Sequence, residues 1–329
     1  MASYYLAYLL QKKRKLMSGE TENLDIDEKI NSTVLQYVGN TPLVRVSTSH
    51  DISDKVEIYA KLEYLNPGGS VKDRPVLRMI REAIKTGKLT HDKTILDSTS
   101  GNAGIAYAMI GSALGYEVDL VIPGNASRER MQTIRAYGAT IITTDPIKGY
   151  DEAIRKAHEL LAENPDKYFM PDQYANECNP IAHYETTGKE ILEQTKGRVT
   201  HFICGVGTGG TVMGVGRRLK EHNPDIKIYV IQPEDFPGIE GLKPMGEEYI
   251  KPKIYRDDFI EDRVFHVTSE EAKDTCGILA RELALFVGQS SGAFMKGALE
   301  LAGEIDEGVI VTLFPDTGSR YFSTQLWEE

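Results

Sequence analysis

Three glycine-rich turns with hydroxyl side chains each follow a strand-like or apolar run of this chain. Because open parallel sheets bind ligands beyond the carboxyl ends of their strands, such turns predict ligand-binding loops. The three turns are Ser98-Thr99-Ser100-Gly101-Asn102-Ala103-Gly104, Gly205-Val206-Gly207-Thr208-Gly209-Gly210-Thr211 and Gly288-Gln289-Ser290-Ser291-Gly292.

The middle turn has two interpretations. Its glycines fit the G-x-G-x-x-G motif of nicotinamide-dinucleotide sites. Glu234 follows this motif at about the spacing in sequence at which such a site has its acidic residue. The same turn suits any phosphate, because glycines let backbone N–H groups converge at the positive end of the following helix. Thr208 and Thr211 add hydroxyl donors, which suit one terminal phosphate. We therefore predict a phosphate site, with a dinucleotide-dependent oxidoreductase as the alternative.

The third turn fits G-x-S-x-G, the nucleophile elbow of many hydrolases, with Ser290 as nucleophile. That fold places its catalytic histidine after the serine, whereas the last of the seven histidines here is His266. A serine hydrolase of that type is disfavoured. We interpret Ser290 as a neutral hydrogen-bond partner, and a helix N-cap serine is compatible with that role.

Lys72 follows two glycines and Ser70, which predicts a helix that begins near Lys72 with Ser70 as its N-cap. The positive end of a helix disfavours an ammonium group, and partial burial raises the fraction of neutral amine further. Neutral lysine amines form Schiff bases. A solvated lysine beside an Asp73–Arg74 surface pair is the alternative. A reactive lysine, a phosphate loop and a neutral serine together indicate pyridoxal phosphate.

Short β-branched runs alternate with helical patterns from residue 56 onward, which predicts an α/β protein with mostly parallel sheets. A polar segment around residues 164–180 indicates a boundary between two such units. Strands are predicted over 56–62, 94–96, 118–122, 140–143, 201–204, 226–231 and 309–314. Helices are predicted over 72–86, 102–114, 127–137, 150–163, 181–194, 209–222, 269–284 and 292–303.

Composition excludes several classes of function. The 329 residues carry 38 basic and 49 acidic side chains, a net charge of −11, which argues against a nucleic-acid partner. Three widely spaced cysteines predict free thiols in a reducing cytoplasm, without a disulfide framework or a metal site. The apolar run at residues 4–10 is too short for a membrane span, and it precedes rather than follows basic residues, unlike a secretory signal.

From about Thr33 onward the chain resembles the β-family (fold type II) of pyridoxal-phosphate enzymes, and within it the B-type cysteine synthases, or O-acetylserine sulfhydrylases. The catalytic core of cystathionine β-synthase is a similar neighbour. The blocks that carry the family resemblance are Val38-Gly39-Asn40-Thr41-Pro42-Leu43-Val44, Gly69-Ser70-Val71-Lys72-Asp73-Arg74, Thr99-Ser100-Gly101-Asn102, His183-Tyr184-Glu185-Thr186-Thr187-Gly188, Gly207-Thr208-Gly209-Gly210-Thr211 and Ser290-Ser291-Gly292. The blocks that resemble the B type are Gln232-Pro233-Glu234, Pro237-Gly238-Ile239 and Arg320-Tyr321-Phe322-Ser323-Thr324. Those that resemble cystathionine β-synthase are Asp172-Gln173-Tyr174 and Asn179-Pro180-Ile181-Ala182-His183-Tyr184.

The resemblance implies two doubly wound α/β domains with the active site in the cleft between them. The expected division is 33–174 and 175–329, after a mobile extension at 1–32, and residues 45–65 are expected to cross into the C-terminal domain. A homodimer is also expected.

Ala103 departs from the family pattern, which commonly has threonine there, so this loop lacks one hydroxyl.

The resemblance assigns roles to residues of three kinds. The catalytic residue is Lys72; the cofactor-binding residues are Lys72, Asn102, Gly207, Thr208, Gly209, Gly210, Thr211 and Ser290; and the residues for the substrate carboxylate are Thr99, Ser100, Asn102 and Gln173.

The activity that the resemblance implies is a β-replacement that makes L-cysteine from O-acetylserine and sulfide through an α-aminoacrylate intermediate, with Lys72 as the base. O-phosphoserine is an alternative donor, for which Lys243 would supply a cation, and homocysteine is an alternative acceptor. Neither a membrane nor a nucleic acid is expected as a partner.

Overall fold

The computed structural model describes residues 25–46, 52–99, 101–235, 238–245, 249, 251–256 and 261–327. Residues 1–24 of the predicted extension, Ser100 of the first glycine-rich turn and Pro237 lie outside the described residues. In the described part, no helix is both long enough and apolar enough to cross a membrane.

The described strands form two sheets that are mostly parallel. The strands are β1 (Leu43–Arg45), β2 (Val56–Leu62), β3 (Thr94–Ser98), β4 (Val118–Pro123), β5 (Thr140–Thr144), β6 (Tyr168–Phe169), β7 (His201–Gly205), β8 (Lys227–Pro233), β9 (Arg263–Val267) and β10 (Gly308–Phe314). The larger sheet has the order β1-β2-β10-β7-β8-β9, and the smaller has the order β5-β4-β3-β6. Only β1 pairs antiparallel, with β2. The predicted α/β class is confirmed.

Helices connect the strands and cover the sheets. They are α1 (Ile26–Asn31), α2 (Asp73–Lys85), α3 (Asn102–Leu114), α4 (Arg128–Ala136), α5 (Gly149–Glu163), α6 (Cys178–Glu185), α7 (Thr187–Thr195), α8 (Gly210–His222), α9 (Ser269–Leu283) and α10 (Gln289–Glu304). α3 is apolar on nearly all sides and buried in the core of the smaller sheet, whereas α9 has one buried face and begins with a capping box of Thr268 and Glu271.

The predicted strands and helices agree with the structure within a few residues, apart from one helix that is broken and four elements, α1 among them, that were not predicted. The helix predicted over 181–194 is broken into α6 and α7 at Thr186, whose hydroxyl donates to Ala182 O at 2.7 Å, a bond that competes with helix continuation. The short strands β1 and β6 and the edge strand β9 were not predicted. β9 carries the alternating pattern of a half-exposed strand, which is weaker than the apolar runs of the central strands.

Part of the predicted mobile extension is ordered. Ile26 and Ile30 of α1 are buried against the core that contains α2 and α3, and Asp27 pairs with Arg81 and Lys85 of α2. These contacts give residues 26–31 a packed apolar face and a paired acid, which the polar composition of the segment did not indicate.

The early strand β2 lies in the larger sheet, where it pairs with β10 from Val56 opposite Gly308 to Leu62 opposite Phe314. The crossing of residues 45–65 into the C-terminal domain stays a prediction, and residues 47–51 of that range lie outside the described residues. The division of the chain near residue 174 stays a prediction.

A buried ion network joins β2, α2 and α7 directly behind the segment that carries Lys72. Arg74 bonds Glu63 at 2.7 Å and Glu190 at 2.6 Å, and Lys61 bonds Glu190 at 2.7 Å. Although burial raises the pKa of Glu190, the hydrogen bonds and charge of Arg74 and then the charge of Lys61 outweigh it and hold that pKa at about 2. The network therefore ties the start of α2 to both neighbouring elements.

We expect Arg74→Leu to lower the free energy of unfolding by about 3–5 kcal/mol, because the change leaves the buried Glu63 without its paired cation and leaves Glu190 with Lys61 alone. Urea denaturation followed by circular dichroism would measure it. The matched control is Arg217→Leu, whose exposed pair with Glu221 should contribute under about 1 kcal/mol. Equal losses in the two variants would contradict the importance of the buried network.

Candidate active site

A cavity lies at the carboxyl ends of β2, β7 and β10, close to the start of α3. Among its lining residues are all those that the sequence analysis assigned to the cofactor. The lining residues are Val71, Lys72, Asn102, Cys204, Gly205, Gly207, Thr208, Gly209, Gly210, Thr211, Glu240, Gly241, Leu242, Ser290, Phe294, Leu313 and Pro315.

The loop between β7 and α8 forms a cradle that has no room for side chains at its glycines. A β-carbon at Gly207 would lie 2.5 Å from Gly241 O, and one at Gly210 would overlap Asn179 Oδ1. Gly209 has a φ of +86°, which favours glycine. The backbone of this loop therefore borders the cavity directly at the start of a 13-residue helix, which favours an anion.

Two side chains outside the loop orient its hydroxyls. Asn179 Nδ2 donates to Thr208 Oγ1 at 3.0 Å, so the Thr208 O–H can serve as a donor itself. Thr211 Oγ1 lies 3.4 Å from His183 Nε2, and the other ring nitrogen lies 2.9 Å from Thr187 Oγ1. Burial lowers the pKa of His183 to about 3, so its ring is neutral at neutral pH. No role was predicted for Asn179 or His183, although both stand in a block that carries the resemblance.

Lys72 is half-buried at the N-cap position of α2, one residue before the helix begins. The prediction that Ser70 is the N-cap was wrong by two residues, since the Ser70 hydroxyl accepts from Lys72 N at 3.3 Å within the preceding turn. Burial lowers the pKa of Lys72, and the charge of Asp316 offsets part of that effect. The amine therefore loses its proton more readily than an exposed lysine does.

The amide of Asn102 is held at both ends. Nδ2 donates to Asp316 Oδ2 at 2.7 Å, and Oδ1 accepts a hydrogen bond from Arg320 Nη1. A carboxylate only accepts and a guanidinium only donates, so the two partners fix which end of the amide is which. One N–H of Nδ2 remains, and Asn102 lines the cavity.

Ser290 is the second residue of α10, with Gly288 at the N-cap, so the N-cap interpretation of this serine was wrong. A β-carbon at Gly288 would lie 2.5 Å from the Tyr321 ring, which explains a glycine at that position. The side chain of Ser290 is buried and its residue lines the cavity.

The turn predicted to hold the substrate carboxylate is built on internal hydrogen bonds. Thr99 Oγ1 accepts from Gly101 N and Gly104 N, each at 3.0 Å, and Gln173 Nε2 donates to Ser98 O at 2.8 Å. Thr99 and Gln173 are buried, and neither is among the described residues that line the cavity. Their role, like that of Ser100, stays a prediction.

A buried acid that the sequence analysis did not single out supports the base of this turn. Asp97 Oδ1 accepts from Ser98 N at 2.8 Å, and Tyr107 donates its hydroxyl proton to Asp97 Oδ2 at 2.5 Å. Burial raises the pKa of Asp97 to about 7, against which these hydrogen bonds act.

The acid of the alternative nicotinamide interpretation is used elsewhere. Glu234 Oε1 accepts from Ser269 N at 2.8 Å, at the start of α9, and Glu234 is not one of the residues that line the cavity within the described chain. Lys243, the cation proposed for a phosphorylated donor, is buried and pairs with Asp151 at 2.9 Å. The charged residue that lines the cavity in this segment is Glu240, which pairs with Arg130.

The residues of this cavity fit pyridoxal phosphate. The glycine cradle and its two threonines suit a phosphate group, and Asn102 offers a donor to a ring oxygen. Ser290 offers a neutral hydroxyl, and Lys72 offers an amine whose pKa is lowered by burial. A site for a nicotinamide dinucleotide would not require a lysine at the position of Lys72.

Comparison with known proteins gives the same assignment. A profile of the family described as "Pyridoxal-phosphate dependent enzyme" matches residues 34–316. Cysteine synthase of Aquifex aeolicus is 50% identical over 308 residues, which span 92% of this chain and 94% of that protein. Cysteine synthase B of Pseudomonas aeruginosa is 42% identical over 296 residues, which span 90% of this chain and 97% of that protein.

Solved structures are also similar. The crystal structure of cysteine synthase (OASS) from Entamoeba histolytica matches with a TM-score of 0.84 and 36% identity, covering 90% of each chain. The O-acetylserine dependent cystathionine beta-synthase from Helicobacter pylori matches with a TM-score of 0.83 and 36% identity, covering 90% of this chain and 98% of that one.

We expect Gly207→Ala to weaken the binding of pyridoxal phosphate by about 10- to 100-fold, because the added methyl group forces the cradle away from Gly241 O. Equilibrium dialysis followed by absorbance would measure the dissociation constant. Gly303→Ala is the matched control, since its β-carbon would meet open space on α10. Wild-type affinity in Gly207→Ala would contradict the assignment of the cradle.

Proposed function

The chain belongs to the pyridoxal-phosphate-dependent enzyme family, and on that premise we propose that it makes L-cysteine from O-acetylserine and sulfide. The observation that carries the proposal is one cavity lined by a lysine of lowered pKa, a side-chain-free cradle at a helix start and a neutral serine. Identities of 50% and 42% to proteins named cysteine synthase support this choice of reaction.

Each cavity residue has a place in this proposal. The backbone N–H groups and hydroxyls of residues 207–211 would hold the phosphate, and Asn102 Nδ2 would donate to the ring hydroxyl. Ser290 would face the ring nitrogen, and Lys72 would bond the cofactor carbon. When bound, pyridoxal phosphate supplies an electron sink for the charge that develops on the substrate Cα.

Lys72 Nζ would take the Cα proton and later return it, for which an amine of lowered pKa is suited. Acetate leaves Cβ and the sulfur of sulfide bonds to Cβ, so O-acetylserine and hydrogen sulfide become cysteine and acetic acid. Ser290 is neutral, and beside the ring nitrogen of bound cofactor it would not enforce protonation of that nitrogen. This favours rapid loss of the β-substituent over reactions that need a long-lived carbanion.

Thr99, Ser100, Asn102 and Gln173 would hold the substrate carboxylate through neutral donors, and the hydrogen bonds of Thr99 and Gln173 to their own turn would keep it in shape. We further propose two α/β domains divided near residue 174, with the cavity between them, and a cytoplasmic homodimer.

We expect Lys72→Ala to lower the rate of cysteine formation by at least roughly 10²–10⁴-fold, because it removes the base. Borohydride reduction of the wild-type holoenzyme, followed by peptide mapping, should place the cofactor on the peptide with Lys72. Lys189→Ala, a change of an exposed lysine paired with Glu193, should keep both properties. Attachment to another lysine, or a protein that takes up no pyridoxal phosphate, would overturn the proposal.

The pairing of Lys243 with Asp151 predicts that O-acetylserine is the preferred donor and that Lys243→Ala does not change the ratio of initial rates with O-acetylserine and O-phosphoserine. A selective loss with O-phosphoserine in Lys243→Ala would instead give that lysine a role toward a phosphorylated donor.

Sulfide and homocysteine are to be compared as acceptors in the same assay. Faster turnover with homocysteine would favour a cystathionine β-synthase activity over the one proposed.

A further inference from the structure

Two charged residues that the proposed reaction does not use hold the Asn102 amide from opposite ends. We call Asp316, Asn102 and Arg320 the amide clamp. Asp316 is fully buried and Arg320 nearly so. Hydrogen bonds to charged partners are stronger than neutral ones, and a buried carboxylate and guanidinium exert that effect away from water. The clamp therefore selects one orientation of the amide.

Arg320 also bonds the turn that leads to Lys72. Its Nη2 donates to Gly68 O, while Nη1 donates to Asn102 Oδ1. Gly69 has a φ of +78°, and a β-carbon there would lie 2.6 Å from Arg320 Nη2, so the glycine turn makes room for the guanidinium. One planar side chain thus connects the segment before Lys72 with the first residue of α3.

Asp316 is fixed on its own side by further contacts. Tyr321 donates its hydroxyl proton to Asp316 Oδ2 at 2.9 Å, and Arg130 Nη2 approaches the same oxygen at 3.3 Å. The backbone of Asp316 forms a bridge with Ser70 and accepts from Gly288 N at 3.1 Å. The carboxylate therefore has a defined position relative to the turns that lead to Lys72 and to Ser290.

We propose that Arg320 and Asp316 are positioning residues that fix the Asn102 amide, so that its remaining N–H serves the ring hydroxyl of pyridoxal phosphate. This inference rests on the proposed function, because it assigns Asn102 to the cofactor. Arg320 acts through Asn102 and through the glycine turn and does not touch the cofactor itself. A guanidinium is needed, because a lysine cannot donate to two acceptors in a fixed fork.

The test is a double-mutant cycle on the purified holoenzyme with Arg320→Lys, Asn102→Ala and the double variant. The readouts are the dissociation constant of pyridoxal phosphate and the visible spectrum of the bound cofactor between pH 6 and pH 9. We expect each single change to weaken cofactor binding by about tenfold or more and to alter the spectrum. The double variant should bind pyridoxal phosphate at most about twofold more weakly than the weaker-binding single variant, because the two single changes remove the same interaction.

The matched control is Arg217→Lys, the same change at an exposed arginine paired with Glu221, which should keep the wild-type affinity and spectrum. Where Arg320→Lys does not fold, as judged by circular dichroism, Asp316→Asn enters the same cycle, since it keeps the shape and removes the charge. It should show the same lack of additivity with Asn102→Ala.

Three results would overturn the inference: wild-type affinity and spectrum in Arg320→Lys, no effect of Asn102→Ala, or single effects that multiply in the double variant. Each of these results can be distinguished from a failure of the proposed function. The amide clamp can be wrong while borohydride still attaches the cofactor to Lys72 and cysteine is still formed. A failure of the proposed function would appear instead as an unmodified Lys72 or as no cysteine.

Discussion

A lysine amine that has to act as a base must be kept from water and from any carboxylate that would hold its proton. Lys72 meets the first condition in part, since it is half-buried and burial lowers its pKa. The acid whose charge opposes that shift is Asp316, and its carboxylate already accepts from Asn102, Tyr321 and Arg130. Hydrogen bonds from these donors partly compensate its negative charge, so Asp316 raises the pKa of Lys72 less than an unpaired carboxylate would, and burial still lowers that pKa overall.

Sheet topology explains why the parts of the site meet. β2, β10 and β7 are neighbours and parallel, so their carboxyl ends lie at one edge of the larger sheet. The turn to Lys72 follows β2, Asp316 follows β10, and the glycine cradle follows β7. α10 leads back into β10, and a helix that precedes a parallel strand in this way begins at the carboxyl edge. Ser290 therefore reaches the same cavity from the start of α10.

Much of this arrangement could be predicted from the sequence because its signals are local. Glycine spacing, β-branched runs and helix starts indicated the cradle, the strands and Lys72. The partners that orient these groups could not be found in that way. Asp316 and Arg320 follow β10 of the larger sheet and lie more than 200 positions from Asn102, which begins α3 after β3 of the smaller sheet, so they meet it only in the folded chain. The break at Thr186 depends on a local hydrogen bond to Ala182 O, and the packing of α1 depends on tertiary contacts of Ile26, Asp27 and Ile30; neither leaves a periodic pattern in the sequence.

The net negative charge of the chain limits how this site can bind anionic ligands. A phosphate and a carboxylate must be bound by a chain with a net charge of −11, and the cradle contributes backbone N–H groups, hydroxyls and a helix start. The buried cations near the site are committed to carboxylates or carbonyls: Arg74 to Glu63 and Glu190, Arg130 to Asp316 and Glu240, and Arg320 to Gly68 and Asn102. Charge is thus used to fix the turns, and neutral groups are left to bind the ligands. A neutral donor releases an anionic product more readily than a buried cation would, and this suits a site that must discharge acetate at every turnover.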